Sequence, residues 1–335
     1  MIFFGLVLTS IIDQRVPLLL ETSTKLAETK SWYGTTYRIA NYHWLDSNRV
    51  LYMTKNSDQS TTFHTMNVKS KEVRESGFTP IFNRSKGMVD TIRVSPDGKK
   101  LLWSGWDGIQ SKWFVSEVDG ANLVGFDRRK ISMVISNHGP DDETSLTWGP
   151  DGQTIYESIV EFGNGISTRL WSRSVTSIDK EQKLPIAKGT VDWQPEIIET
   201  NFAFANSGLA IGSEKPSARF ITWNINDPQK TRKEWVVTAP RNRTIGSFSH
   251  SHDGKKILWN LPVHDPKATD SWSTIGEEIW LTDAHGKNWK RVARMPFGGK
   301  TSFEQSAKLS AARWQPGSKA FSYIYNSNLY QFKLP

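Results

Sequence analysis

Read for apolar and polar positions, the chain is a series of short alternating runs punctuated by tight turns. In Ile92-Arg93-Val94 the apolar residues flank a polar one, Ser95-Pro96-Asp97-Gly98-Lys99-Lys100 interrupts, and Leu101-Leu102-Trp103 resumes the apolar run. The interruption has turn chemistry: proline presets φ, aspartate bonds back to the backbone, and glycine accepts positive φ. The pattern returns almost intact as Phe248-Ser249-His250-Ser251-His252-Asp253-Gly254-Lys255-Lys256-Ile257-Leu258-Trp259. A third copy places Gly149-Pro150-Asp151-Gly152 between Leu146-Thr147-Trp148 and Thr154-Ile155-Tyr156. Each copy predicts a strand, a turn and a second strand.

The copies form a register across the whole chain. Taking the residue two before the turn proline as a mark gives Trp44, Val94, Trp148, Trp193, His250 and Trp314, spaced 45 to 64 residues apart. Downstream of each turn a further apolar run recurs, as in Trp113-Phe114-Val115-Ser116-Glu117-Val118-Asp119-Gly120 and Ile279-Trp280-Leu281-Thr282-Asp283-Ala284-His285-Gly286. That run predicts a third strand, closed by an Asp-Gly or similar turn into a fourth. Units of this length hold four strands, and four-stranded units repeated radially make a β-propeller. The sixth unit reaches Pro335 after its third strand, so the segment Ser31–Ile39 is expected to supply the fourth and remove two exposed sheet edges. The expected fold is all-β: a six-bladed β-propeller over residues 31–335, closed by its N-terminal segment, with residues 1–30 as an extension.

The hairpin motif together with aliphatic-Trp-Leu-x-Asp-x-x-Gly resembles the TolB-like (WD40-like, PD40) propeller repeat. Two units match closely, one well and three loosely, over about residues 31–335. The resemblance implies a six-bladed propeller of extracytoplasmic location, periplasmic or secreted, that binds proteins or accompanies an enzyme domain. The chain has no room for the α/β domain that precedes the propeller in TolB itself, so only the repeat carries over. Other propeller signatures do not fit. Gly254 directly follows Asp253, which breaks a sialidase-type box, and no Gly-His…Trp-Asp pair or run of glycine pairs is present.

Composition supports the all-β reading, with 15 Trp, 16 Phe and 8 Tyr among only 37% hydrophobic residues. Aromatic side chains suit pleated, half-buried surfaces. The net charge of +8 permits anionic partners, yet the lysines and arginines sit in pairs at turns, such as Lys99/Lys100 and Lys255/Lys256. No clustered footprint points to nucleic acid. The chain has no cysteine, which excludes disulfides and thiolate chemistry and leaves the redox compartment open. Met1–Ile12 is apolar enough for an export-signal core but lacks a basic start and a cleavage site, and it is too short to span a bilayer. No transmembrane anchor is expected, and the chain is expected to act as a monomer.

In a propeller the loops joining strands two to three, and strand four to the next strand one, share one face. Binding residues concentrate on such loops. The connection from His252 to Ile279 is 27 residues, against 17 from Pro96 to Trp113, and the excess carries His264, Asp265 and Trp272. A second long connection carries His138, Asp141, Asp142 and Glu143, and a third carries Arg241 with Asn242 and Arg243. These residues form the candidate ligand-binding rim. The same sequences also make good solvated turns. His43, Arg93, Asp192 and Arg313 each precede a register mark, so alternation sets them on one sheet face and makes them candidate channel-lining residues. Inter-blade salt bridges are the competing use for them. Most tryptophans occupy equivalent repeat positions, as packing between blades requires; only Trp106 and Trp272 lie off register as ligand platforms.

No Gly-x-Ser-x-Gly, P-loop or His-Glu-x-x-His motif is present. The expected function is that of a non-enzymatic scaffold binding a protein or peptide through its loop face and central channel. No cofactor and no resident metal are expected. The alternative is a glycan-active or carbohydrate-binding propeller, which requires two carboxyl groups within roughly 5–10 Å across a cleft.

Overall fold

The computed structural model describes residues 18–28, 31–32, 35–36, 38–56, 60–88, 91–127, 144–162, 166–186, 196–198, 201–206, 217–224, 226–240, 243–265, 267, 274–296, 310 and 312–334. After β1 (Thr24–Ala27) comes a short ladder, β2 (Ser31–Trp32) with β3 (Thr35–Thr36). Five four-stranded meanders follow. The first is β4–β7 (Arg38–Trp44, Arg49–Lys55, Thr61–Asn67, Val73–Glu75), the second β8–β11 (Arg93–Val94, Lys100–Trp106, Ser111–Glu117, Val124–Asp127). The third is β12–β15 (Thr144–Trp148, Thr154–Phe162, Ile166–Ser174, Ser177–Leu184), the fourth β16–β19 (Glu196–Ile198, Asn201–Asn206, Ser217–Asn224, Lys233–Thr238). The fifth is β20–β23 (Ser247–His250, Lys256–His264, Thr274–Asp283, Lys290–Pro296). The last sheet is built from β24 (Arg313–Trp314), β25 (Ala320–Tyr325) and β26 (Asn328–Lys333), with β1 outermost against β26. This is the sheet content of a β-propeller.

The chain forms two compact units, one of Thr29–Asn206 with Arg219–Trp235, the other of Met1–Glu28, Ser207–Ala218 and Val236–Pro335. In the first, β4 lies against β8, β8 against β12 and β12 against β16; in the second, β20 lies against β24. First strands therefore neighbour first strands, as inner strands do. A tryptophan at the register mark ties one sheet to the next. Trp148 Nε1 donates to the Arg93 carbonyl at 3.1 Å in one unit, and Trp314 Nε1 donates to the Ser249 carbonyl at 2.9 Å in the other. Both acceptors stand one residue before the preceding mark, so a single repeated contact explains why tryptophan recurs there.

The hairpin turns are built as their residues require. The Ser95 hydroxyl donates to Asp97 Oδ1 at 2.6 Å and accepts from Lys100 N at 2.9 Å; Ser251 does the same with Asp253 and Lys256 at the same distances. Asp151 instead accepts from Gln153 N, Thr154 N and the Thr154 hydroxyl. These aspartates serve the backbone. Gly98 has φ +69°, and a methyl added there would sit 1.8 Å from the Leu45 carbonyl oxygen; Gly152 has φ +62° with nothing nearer than 3.6 Å. Gly152→Ala should therefore cost about 1–2 kcal/mol, the left-handed penalty alone. Gly98→Ala adds a clash worth roughly 1–3 kcal/mol more. Urea midpoints of the two variants check this, and equal losses would contradict it.

The cores follow the apolar pattern, with two departures from the sequence reading. Helix α1 (Phe78–Arg84) interrupts the β7–β8 connection. Its Phe78 and Phe82, one turn apart, pack with Phe63, and Phe78 also meets Trp103 edge to face at 4.7 Å. The second departure concerns the last sheet. Its fourth strand is Thr24–Ala27, whereas Ser31–Ile39 gives the β2–β3 ladder and the start of β4. Arg38–Trp44 is drawn to β5 because it leads the first sheet, burying Ile39, Tyr42 and Trp44. The N-terminal piece is held by Leu19, whose N–H donates to Arg294 O at 2.9 Å and whose carbonyl accepts from the Tyr323 hydroxyl at 3.2 Å.

Candidate functional site

The long β21–β22 connection marks the loop end of the fifth sheet, and the chain entering β20 folds back on that end. Arg243 bridges to Val263, Thr244 N donates to the Pro262 carbonyl at 3.3 Å, and Gly246 N donates to the Asn260 carbonyl at 3.0 Å. A connection from strand four to strand one is thereby brought alongside a strand-two end, as the loop-face argument requires.

Alternation along β21 puts Asn260 and Pro262 on one face and Leu261 and Val263 on the other; the register shifts between Val263 and His264, and His264 is placed by its contact with Thr244, which bonds back to Pro262. Across the ladder Glu277 pairs with Pro262 and Glu278 with Leu261, so these adjacent glutamates point to opposite faces. Glu278 is buried and saturated. Arg243 clamps it with Nε at 2.7 Å and Nη2 at 2.9 Å, Arg291 Nη1 donates at 2.7 Å and Trp280 Nε1 at 2.8 Å. Burial pushes the Glu278 carboxyl up, but the donors from Arg243, Arg291 and Trp280 outweigh it and hold it below the usual carboxylate range. It is a fixed anion that positions Arg243.

The other face has a different character. Burial pushes the Glu277 carboxyl up to about 7, with only the Asn260 side chain offsetting it. Asn260 Oδ1 accepts from Ala312 N at 3.3 Å, which leaves its amide N–H groups for Glu277. His264 Nε2 meets the Thr244 hydroxyl at 3.0 Å, while its Nδ1 is buried without a hydrogen-bond partner. A carboxyl that changes charge near neutrality and an unsatisfied imidazole nitrogen thus stand on one face of one sheet end.

Of the rim residues read from the sequence, His264 lies in this group. Asp265 accepts from Lys267 N at 2.9 Å and serves its own turn. His138, Asp141, Asp142, Glu143, Arg241 and Trp272 lie outside the described residues, as does Asp192 of the channel set. The other three of that set are half-buried on first strands: His43 in β4, Arg93 in β8 and Arg313 in β24. Glu277 and Glu278 went unread. A signal for them exists in Ile275-Gly276-Glu277-Glu278-Ile279-Trp280, two adjacent acids where the equivalent strand has Ser111-Lys112.

Among the described residues no group of three or more His, Asp or Glu is arranged to hold a metal ion. No helix among them is long and apolar enough to cross a membrane.

No protein-family model matches the sequence, and no curated protein matches it at a significant level. Solved structures do resemble it. An oligogalacturonate lyase in complex with manganese aligns over 93% of this chain and 96% of its own, at 11% identity and a TM-score of 0.51. The tricorn protease aligns over 95% of this chain at 10% identity and a TM-score of 0.50, and this chain spans about a third (34%) of its length. A putative TolB from Agrobacterium tumefaciens aligns over 91% of this chain and 92% of its own, at 12% identity and a TM-score of 0.49. At such identities the likeness is one of fold.

Proposed function

We propose that this chain, a TolB-like β-propeller by its repeats and its fold, is a binding protein that takes a protein or peptide on the loop end of the fifth sheet. The observation that carries the reading is the asymmetry of that end. One face holds an arginine fixed by a saturated carboxylate, and the other carries Glu277 and a His264 whose buried Nδ1 has no partner within the fold. Such groups suit the N–H, carbonyl and carboxylate chemistry of a peptide, which needs donors and acceptors held in place rather than a reacting pair. The same proposal holds six blades with the N-terminal strand completing the last, which the six four-stranded sheets and the β1–β26 pairing support. An extracytoplasmic setting accords with it. Panning a displayed peptide library on the immobilised full chain tests the site. Peptides enriched on the wild type should lose about tenfold or more in affinity on His264→Ala and Glu277→Gln. Unchanged binding by both variants would place the partner elsewhere.

The carbohydrate alternative draws on Glu277, since a carboxyl protonated near neutrality suits a general acid. The adjacent Glu278 does not serve as its second carboxylate, because it points away and is engaged by two arginines. Binding of oligosaccharides to the wild type, lost in Glu277→Gln, would favour it over the peptide reading.

A further inference from the structure

The second sheet carries a surface that the preceding proposal does not use. Trp106 N donates to the Ser85 carbonyl at 2.5 Å, and Met88 N donates to the Ser104 carbonyl at 2.8 Å. The segment after α1 is thereby clamped along the end of β9. Beyond it the chain turns at Asp107, whose Oδ1 accepts from Ile109 N and Gln110 N at 2.8 Å each. Ile109 is held at the tip of this turn.

Three large apolar side chains face water here: Met88 is 51% exposed, Trp106 41% and Ile109 84%. Apolar residues scattered singly over a surface need no explanation, but a group on one clamped edge does. The charges around them are unevenly satisfied. Lys112 is bridged by Asp107 at 2.9 Å and Asp127 at 3.5 Å. Arg84 and Lys86 are exposed, and neither has a carboxylate partner among the described residues. Lys86 also sits at φ 44°, a conformation usually left to glycine or asparagine at a helix end. Among the described residues Asp107 and Asp127 are engaged with Lys112, and two cations beside the apolar group remain open to a partner.

We propose that this surface docks an acidic peptide segment by one bulky apolar side chain. The anchor would rest against Met88, Trp106 and Ile109, and carboxylates flanking it would meet Arg84 and Lys86. Arginine suits that second role because its planar fork can hold a carboxylate by two hydrogen bonds. Charge complementarity selects the occupant. Among the described residues, the two open cations next to Asp107 and Asp127 are too few to follow a phosphate backbone, whose affinity comes from many neutralised phosphates. They also fall short of the basic cluster that holds a segment to an anionic bilayer.

Fluorescence anisotropy on the full chain tests this with short labelled peptides, each a central Leu or Trp flanked by Asp and Glu, and their Lys-flanked counterparts. The acidic peptides should bind and the basic ones should not. Ile109→Asp, at a fully solvated tip where the fold has nothing to lose, should weaken binding about tenfold or more. Arg84→Glu with Lys86→Glu should remove the preference for acidic flanks, and added salt should weaken the wild type. His264→Ala should bind as the wild type does, which separates this surface from the fifth-sheet site. The proposal fails if acidic and basic peptides bind alike, or if Ile109→Asp leaves binding unchanged while unfolding like the wild type. It also fails if phosphatidylserine vesicles, and not peptides, bind in an Ile109-dependent way, since the surface would then be a membrane contact.

Discussion

Arg173→Ala should lower the stability of the chain by about 3–5 kcal/mol, the cost of stranding a buried charge. Arg173 projects from β14 between two carboxylates of its own sheet, Glu157 on β13 at 2.9 Å and Glu181 on β15. The Arg173 side chain is 3% exposed and that of Glu157 1%, so neither charge has water to fall back on. The guanidinium also donates to the Ile178 carbonyl at 3.3 Å and lies over the Phe126 ring at 4.6 Å, packing against the neighbouring sheet. Removing it therefore strands Glu157 and opens a hole between two sheets. The double variant Arg173→Met with Glu157→Gln removes both charges and keeps most of the volume. It should recover much of the loss, because the pair's attraction largely offsets its own desolvation. Urea unfolding of the single and double variants decides the matter. If the double variant loses as much as Arg173→Ala, packing rather than charge dominates at this site.

The second large effect is a dependence on pH. The Glu277 carboxyl sits near 7 in the fold against an ordinary value of 4.5, so between these values the folded state holds a proton that the unfolded state releases. Its contribution is complete below about 4.5 and is lost as pH rises through 7. Over that span the loss amounts to about 3 kcal/mol at most. His64 works in the opposite sense: burial lowers it, with Glu75 partly offsetting, so its neutral form favours the fold as pH rises. Comparing Glu277→Gln with the wild type cancels that background. The glutamine variant should match the wild type near pH 5 and exceed it near pH 8, when unfolding is followed in urea. Parallel stability profiles would mean that Glu277 titrates as a solvated carboxylate.

Much of the scaffold is legible from local sequence because its parts are local. The Ser95–Asp97 and Ser251–Asp253 turns repeat the same hydrogen bonds at the same distances, since every partner lies within five residues. The register tryptophans are legible for another reason. Trp148 and Trp314 recur at one position, and a recurring contact with the preceding sheet needs a recurring residue. Helix α1 was within reach through the Phe78–Phe82 spacing, but seven residues inside a β repeat carry little periodic signal. Strand β1 has even less. Of Thr24-Lys25-Leu26-Ala27 only Leu26 is fully buried, so its place beside β26 follows from the free edge of the last sheet and not from its own pattern.

The candidate site divides along the same line. Length alone singled out the connection that carries His264, because an insertion shows against a repeat without any knowledge of contacts. The sequence by itself also determined the class of fold, the turn roles of the aspartates and the positions of the inter-sheet tryptophans. It could not assign chemistry to Glu277 and Glu278, which are neighbours of the same residue type. Only tertiary structure divides them. The pleat sends them to opposite faces, where Arg243 and Arg291 converge on one and the entry to β24 closes over the partner of the other. A carboxyl's charge is set by burial and by the donors around it, and those donors come from as far as 35 residues away in the chain. Local sequence can place a glutamate on a strand; the charge it carries there is decided by what the rest of the fold packs against it.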